Sequence, residues 1–404
     1  MGRKRKIEPK ETKHTETQKS SSVEVIVEDV TSHPICMHGP TLLFSSEKGR
    51  YFACASCRDK KECTVLIDEE DWSKEGVKKR NEKYYNLMPK IDKAAAWKNL
   101  NEELYLLSSN RKHGKDHRVI TGLTDEQLAA PSSWLPTLEN DAVEAQYIFA
   151  KKSVGTILNI LKNNNISNII CIGAPSVHEA AQSSPDFDSI LLDFDKRHHQ
   201  FQAPAKFVWY NMFNNYMFNG NEDEGVLKKF LKKAKSGGTC IVMDPPFGGR
   251  VEPLTHTLKE LSATYREVCE KTDDELLPVI WAFPYFSEPY ITGTMPEIKM
   301  HDYQVEYGNH KKFHNKKSGR KHGSPVRLFT NLPLLTIDLS NDKNYKLCDK
   351  CKYWVSATNN HCTKCKECTS KNGMTYKHCN ACKQCVKPTF KHCKECERCV
   401  LEKG

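Results

Sequence analysis

Residues 240–249 read CIVMDPPFGG. An apolar run stops at Asp244, and Pro245, Pro246 and Phe247 follow before a pair of glycines. The two prolines carry no N–H, so the stretch presents acceptors only: the Asp244 carboxylate and the first prolyl carbonyls. An exocyclic amine on a nucleobase has two N–H donors and a lone pair delocalised into its ring. Two acceptors on those hydrogens orient the amine and make the lone pair more available for attack on a methyl group, with no charged general base required. Phe247 offers a face on which a flipped base could stack, and Gly248 and Gly249 let backbone pass close by. The plain alternative is a rigid strand end with Phe247 in the core.

A second chemistry lies in the eighteen cysteines. Four fall between Cys36 and Cys63, three are scattered mid-chain, and eleven crowd into 348–399. CxxC pairs with interleaved histidines point to zinc rather than to disulfides. Cys36, His38, Cys54 and Cys63 are the preferred first tetrahedral set, with a set built on the Cys54/Cys57 pair as the alternative. In the tail one rule accounts for most ligands: a CxxC, the next histidine, and a cysteine seven further on. It gives Cys348/Cys351/His361/Cys368, Cys362/Cys365/His378/Cys385 and Cys379/Cys382/His392/Cys399. Each set borrows from two consecutive repeats, so the sites interlock. Cys393 and Cys396 remain over, two ligands of a fourth site whose partners would fall past Gly404. About four structural zinc ions are expected, and the tail has too few apolar residues to fold without them. His113 and His117 lack neighbouring ligands and read as surface residues.

These groups need elements to position them. Over 141–335 the chain alternates apolar strands with helices. SNIICIG (167–173), SILLDFD (189–195), KFVWYNMF (206–213), TCIVMD (239–244) and LPVIWAFPYF (277–286) read as strands, with DYQVEY and PVRLFTN extending the sheet. Helices are expected over AQYIFAKKSVGTILNILKNN (145–164), GVLKKFLKKAK and VEPLTHTLKELSATYREVCE. Such alternation predicts an open, mainly parallel α/β sheet. Cys171, Cys240 and Cys269 fall on these elements and read as core residues. The segment 73–140 reads as helical and connecting, its best amphipathic stretch being EKYYNLMPKIDKAAAWKNLNEELYLL.

In an open α/β sheet ligands bind beyond the carboxyl ends of the strands. Gly173 closes the first strand, Asp193 the second, Asn211 the third and Asp244 the fourth. Asp193 is suitably placed for ribose hydroxyls. The turn IGAPS has one glycine where a dinucleotide fingerprint wants three, and no phosphate-loop lysine follows. A pyrophosphate cofactor is disfavoured, whereas S-adenosylmethionine, which has adenosine but no phosphate, is compatible.

The run of motifs carries two resemblances. The arrangement CxH–GP–GRYFAC–C is similar to the GRF-type zinc finger, whose ligands correspond to Cys36, His38, Cys54 and Cys63 and leave Cys57 spare. Asp-Pro-Pro-Phe resembles the catalytic motif of amino-methyltransferases acting on adenine N6. From the finger through AQYIFA, LLDFD, YNMFN, DPPFGGRVEPL, FPYF, DYQVEY and SPVRLFTN into the tail, about residues 33–400, the chain resembles the zinc-finger CCHC-type adenine N6-methyltransferases of large-subunit ribosomal RNA. That resemblance implies a Rossmann-like, seven-stranded class I methyltransferase domain flanked by small zinc-binding modules, with S-adenosylmethionine as donor. It implies cofactor contacts from Gln146, Tyr147, Ile148 and Phe149, from Asp193 on the ribose, and from Asn211, Met212 and Phe213 around the adenine and methionine portions. Asp244, Pro245, Pro246 and Phe247 would hold the target amine. Two departures stand out: the family's extra CxxC before the 113–117 histidines is absent, and Ser176 stands where a basic residue is usual. The tail is also similar to the cysteine-rich domain of palmitoyltransferases. Here Tyr376-Lys377-His378-Cys379 replaces the Asp-His-His-Cys that activity needs, which rejects that function.

The expected organisation is a disordered basic tail (1–30), a GRF-type finger (31–72), a helical connection (73–140), the methyltransferase domain (141–340) and the interlocked zinc domain (345–404). The net charge of +10 favours a polyanionic partner. Lysines interleave the tail, and a second basic run, KKFHNKKSGRKHG, spans 311–323. Flanking a base-modifying site, these runs are expected to track the backbone of a structured ribosomal RNA stem-loop. No stretch has the apolar length of a membrane span, and no membrane partner is expected. A soluble intracellular protein follows, in the nucleus or nucleolus, with the cytoplasm second. Two rivals stand beside methylation of adenosine: a non-catalytic zinc-finger RNA-binding protein with a degenerate domain, and transfer to another amine such as cytosine N4 or a protein amide.

Overall fold

A computed structural model describes residues 23–27, 30–56, 63–86, 105–106, 119–120, 122–136, 146–234, 238–309 and 324–401. The amino-terminal basic run, Cys57, His113, His117, most of the amphipathic stretch after residue 82 and the basic run 311–323 lie outside the described residues.

The central sheet has eight strands. In chain order they are β1 (Ile166–Ile172), β2 (Asp188–Asp193), β3 (Phe207–Asn211), β4 (Tyr216–Met217), β5 (Gly238–Met243), β6 (Val279–Pro284), β7 (Lys299–Gln304) and β8 (Val326–Thr330). Their spatial order is β4-β3-β2-β1-β5-β6-β8-β7. The five strands from β3 to β6 run parallel, and β4, β8 and β7 join antiparallel to their neighbours. The mixed α/β sheet matches the sequence pattern, but the count exceeds the seven expected. The addition is β4, two residues that fold back on Tyr210 and Asn211 after Asn215 takes a left-handed turn at φ 52°.

Alternate residues of β1 face opposite ways and meet different layers. Ile170 and Ile172 join the core beneath α3 (Asn221–Lys233) and α4 (Val251–Cys269), whereas Ile169 and Cys171 join the core beneath α1 (Lys151–Asn163) and α2 (Pro175–Gln182). Both faces are covered, so β1 reads as a continuous apolar run. Leu254, Leu258 and Leu261 form the buried stripe of α4 at helical spacing. Each such side chain stabilises the fold by about 1.5–3 kcal/mol relative to exposure. The mid-chain cysteines Cys171, Cys240 and Cys269 are buried in these two layers, as expected.

One helix is shorter than its periodicity predicts. Of the described residues 146–164 only Lys151–Asn163 are helical. Gln146–Ala150 are extended, because Phe149 bridges Tyr307 and backbone bonds tie Gly308 N–H to the Ile148 carbonyl (2.8 Å) and Ala150 N–H to the Glu306 carbonyl (2.8 Å). A partner 158 residues away overrides the local helical pattern here.

The amino-terminal module is a four-stranded antiparallel sheet of Glu24–Ile26, Leu42–Ser46, Gly49–Ala53 and Leu66–Asp68. The tail is a series of hairpins, including Lys377–Cys379 with Gln384–Val386 and Phe390–Cys393 with Arg398–Leu401. It docks on the sheet through Asp302, whose carboxylate accepts from Ser356 N–H (2.9 Å) and the Asn359 amide (2.8 Å).

Candidate active site

The carboxyl ends of β1, β2, β3 and β5 surround one cavity, lined by Gly173, Asp193, Asn211 and Asp244 among others. Met212, Phe213, Pro245 and Pro246 also line it, as do Gln146, Tyr147 and Ile148 from the extended stretch before α1. Phe149 and Phe247 stand outside that lining. Phe149 is buried and stacked on Tyr307 (centroids 5.3 Å), and the Phe247 ring rests on Tyr147 (4.9 Å, 27° between planes).

Gly173 is needed for its missing Cβ. Its φ is +61°, and a Cβ there would lie 2.8 Å from Met212 Cε and 3.1 Å from the Asp244 carbonyl oxygen. The turn after β1 therefore touches the loop after β5, and Asp244 N–H donates to the Ile172 carbonyl (3.1 Å). These contacts place the Asp244 carboxyl at the cavity wall, largely buried. Burial pushes it well above the usual carboxylate range, and a hydrogen bond donated by the Tyr307 hydroxyl to Oδ1 (2.8 Å) opposes that shift.

Asp193 is buried at the end of β2, and desolvation pushes its carboxyl up to about 6. Its Oδ1 accepts from Asp195 N–H (2.7 Å). Asp195 is held at about 2: burial pushes it up, but the Arg197 guanidinium, bonded to it through Nε (2.9 Å), outweighs burial. Gln146 Nε2 donates to the same carboxylate (2.9 Å). A buried guanidinium and carboxylate joined this way form a fixed strut rather than a mobile surface pair.

The amino-terminal module completes the wall with His38 and Ser56. Both N–H groups of the Asn211 amide are given to it, one to the His38 carbonyl (2.6 Å) and one to Ser56 Oγ (2.7 Å), while Asn211 Oδ1 accepts from Phe213 N–H (3.0 Å). Asn214 adds bonds to the His38 (3.2 Å) and Pro40 (2.7 Å) carbonyls. Sequence reasoning missed His38 and Ser56 as lining residues, and also Asp195, Arg197, His198 and Tyr307. Asp195 and Tyr307 stood in quoted motifs, LLDFD and DYQVEY, but nothing local says where their side chains go. His198 lines the cavity beside the Asp193, Asp195 and Arg197 side chains, and its buried ring nitrogen Nδ1 has no hydrogen-bond partner. A polar ligand such as a nucleoside fits a wall of this kind.

The four expected ligand sets are each gathered, with ligand atoms within 4.8 Å of one another. Cys54 Sγ lies 3.3 Å from His38 Nδ1, and in the tail sets the Cys351–Cys368, Cys365–Cys385 and Cys382–Cys399 sulfur pairs are 3.8, 3.7 and 3.6 Å apart. Ligands about 2.0–2.3 Å from a tetrahedral zinc have edges of roughly this length. These clusters could hold zinc. Lys352, Lys366 and Lys383, each directly after the second cysteine of a tail CxxC, adopt left-handed φ of 62°, 60° and 53°, the turn that aims both sulfurs to one side.

A family model described as probable N6-adenine methyltransferase matches residues 140–332. The rRNA N(6)-adenosine-methyltransferase ZCCHC4 of Homo sapiens is 37% identical over 401 residues, covering 91% of this chain and 78% of that protein. The proteins of the same name from Mus musculus and Xenopus laevis are each 37% identical, over 85% and 83% of this chain and 73% and 74% of their own lengths. The mixed α/β sheet and the matching family model place the chain in the α/β methyltransferase class. More narrowly, the chain belongs to the rRNA N6-adenosine-methyltransferase family of these relatives.

Proposed function

We propose that the chain transfers a methyl group from S-adenosylmethionine to N6 of an adenosine in ribosomal RNA, and that the target lies in a structured stem-loop of the large subunit. The observation that carries this reading is Asp244: a buried carboxylate at the cavity wall, one oxygen engaged by Tyr307 and two donor-free prolines directly after it. When bound, the cofactor supplies an electrophilic methyl on a sulfonium. Asp244 and the prolyl carbonyl accept the hydrogens of the amine and turn its lone pair toward that carbon. The amine held by Asp244 would take the methyl carbon of a bound cofactor, leaving the bonding pair on sulfur, and would release one proton to solvent. Asp193 would take the ribose, and Gln146, Tyr147 and Ile148 with Met212 and Phe213 would bound the cofactor. Asn211 acts by holding the amino-terminal module against this wall.

Strands β1–β3 and β5–β8 read as the seven strands of a class I methyltransferase sheet, with β4 an addition. The domain boundaries given by the sequence, with the finger begun at strand Glu24–Ile26 rather than at residue 31, one structural zinc per cluster, RNA contacts from the lysine-rich tail, and a nuclear or nucleolar location complete the proposal. Incubation of the protein with total RNA and isotope-labelled S-adenosylmethionine, followed by nucleoside mass spectrometry, tests it. Label in N6-methyladenosine supports the reading. Label in another nucleoside moves the activity to a different amine, and cofactor binding without transfer favours the scaffold reading.

A further inference from the structure

Phe286 and Tyr290 are 59% and 68% exposed. Among the residues whose side-chain burial is described, no other Phe, Tyr or Trp is exposed. The two sit four positions apart, Phe286 in the 3-10 turn Tyr285–Ser287 and Tyr290 in α5 (Glu288–Thr294), directly after β6. In the parallel pairing of β5 with β6, Met243 lies opposite Trp281, which sets Ala282 level with Asp244. With about 3.3 Å per strand residue and 4.8 Å between strands, Phe286 falls roughly 10–15 Å past Asp244 on the same edge. That is the reach of nucleotides adjoining a flipped base.

The zinc-binding tail grips this same segment. Lys387 Nζ donates to the Tyr285 hydroxyl (3.1 Å) and sits 5.2 Å over its ring, and Tyr285 in turn meets Phe286 edge to face (5.7 Å). Lys371 pairs with Glu288, which cancels the acidic charge nearest the two rings. Solvated rings, lysines at their base and a basic chain make a surface suited to unpaired nucleic acid, since every base has a face that can stack.

We propose that Phe286 and Tyr290 form a stacking platform for unpaired nucleotides beside the target adenosine. The proposal rests on the RNA-methylating reading above, but its test reads binding without the cofactor, so the two can fail separately. The full-length, zinc-loaded chain and a Phe286→Ala/Tyr290→Ala double variant are titrated by fluorescence anisotropy against a labelled single-stranded RNA and a duplex of the same length. The affinity of the double variant for the single strand falls about 10-fold or more, the effect of removing ring–base stacking. Duplex affinity and the salt dependence of binding stay the same, because no phosphate contact is lost. A Phe286→Trp/Tyr290→Trp variant restores single-strand binding. Three results overturn the platform: unchanged single-strand affinity in the alanine variant, an equal loss for single strand and duplex, or no RNA binding by the parent protein. A change from dimer to monomer in the alanine variant with RNA affinity intact also overturns it, and reassigns the rings to a contact between copies.

Discussion

The Tyr307 hydroxyl, 63 residues beyond Asp244 in the chain, donates to Asp244 Oδ1 across 2.8 Å. Tyr307 is fixed by rings on several sides: it stacks on Phe149 and meets Phe247 edge to face at 5.8 Å. One carboxylate oxygen is thereby occupied, and the carboxylate plane is set for whatever its other oxygen accepts.

Tyr307→Phe removes the bond that opposes the effect of burial on Asp244, so the carboxyl moves further up. The anionic acceptor is then lost at a higher pH as pH falls. The acidic limb of the rate profile shifts upward in the variant, with a loss on that limb of about 10- to 100-fold, the worth of a hydrogen bond to a charged group. Steady-state methylation measured from pH 5.5 to 9, with S-adenosylmethionine binding unchanged, checks this. An unshifted profile would show that Tyr307 only packs.

Asp193 has a carboxyl raised from 3.8 to about 6 by burial. Folding alone favours its protonated form, so its contribution to stability falls as pH rises from 3.8 through about 6. A ribose hydroxyl pair prefers the ionised form, so cofactor affinity moves the opposite way. Calorimetry should show the S-adenosylmethionine dissociation constant rising as pH drops below 6, by about tenfold per unit at the limit. Asp193→Asn should bind more weakly and without that pH dependence.

Much of this architecture was legible in the sequence, and the parts that were not share one cause. Runs such as IICI and IVM declare buried strands because both faces of β1 and β5 are covered. The cysteine spacing is legible because a metal fixes ligand geometry independently of the rest of the fold. Gln146–Ala150, by contrast, look helical locally and are extended because of Tyr307 and Gly308. The bonds from Asn211 to His38 and Ser56, and from Tyr307 to Asp244, join residues 173, 155 and 63 positions apart. No periodicity or spacing rule reaches across such separations.

The Cys36/His38/Cys54/Cys63 ligand cluster of the amino-terminal module and the cofactor cavity should be coupled through Asn211. Cys54→Ala removes one ligand of that cluster and leaves the tail clusters intact. Zinc measured by mass spectrometry should fall by one ion per chain, and cofactor affinity should fall about 10-fold as the buried Asn211 amide loses its acceptors. Asn211→Ala should weaken cofactor binding similarly while keeping the full zinc content. Unchanged affinity in both variants would mean that the module merely lies against the wall.

Gly173→Ala should be costly despite adding one methyl group. The residue is left-handed at φ +61°, and the Cβ would meet Met212 Cε at 2.8 Å and the Asp244 carbonyl at 3.1 Å. A loss of about 1–3 kcal/mol in stability is expected for a residue forced into strain of this kind. Chemical denaturation measures it, and Gly155→Ala, in open space within α1, is the matched control.

The central claim rests on Asp244, and Asp244→Ala tests it most directly. Wild-type and variant protein are each incubated with ribosomal RNA and labelled S-adenosylmethionine, and digested nucleosides are quantified by mass spectrometry beside zinc content and circular dichroism. Labelled N6-methyladenosine is expected from the wild type and none above background from the variant, with fold and zinc unchanged. Wild-type levels of N6-methyladenosine from Asp244→Ala would contradict it.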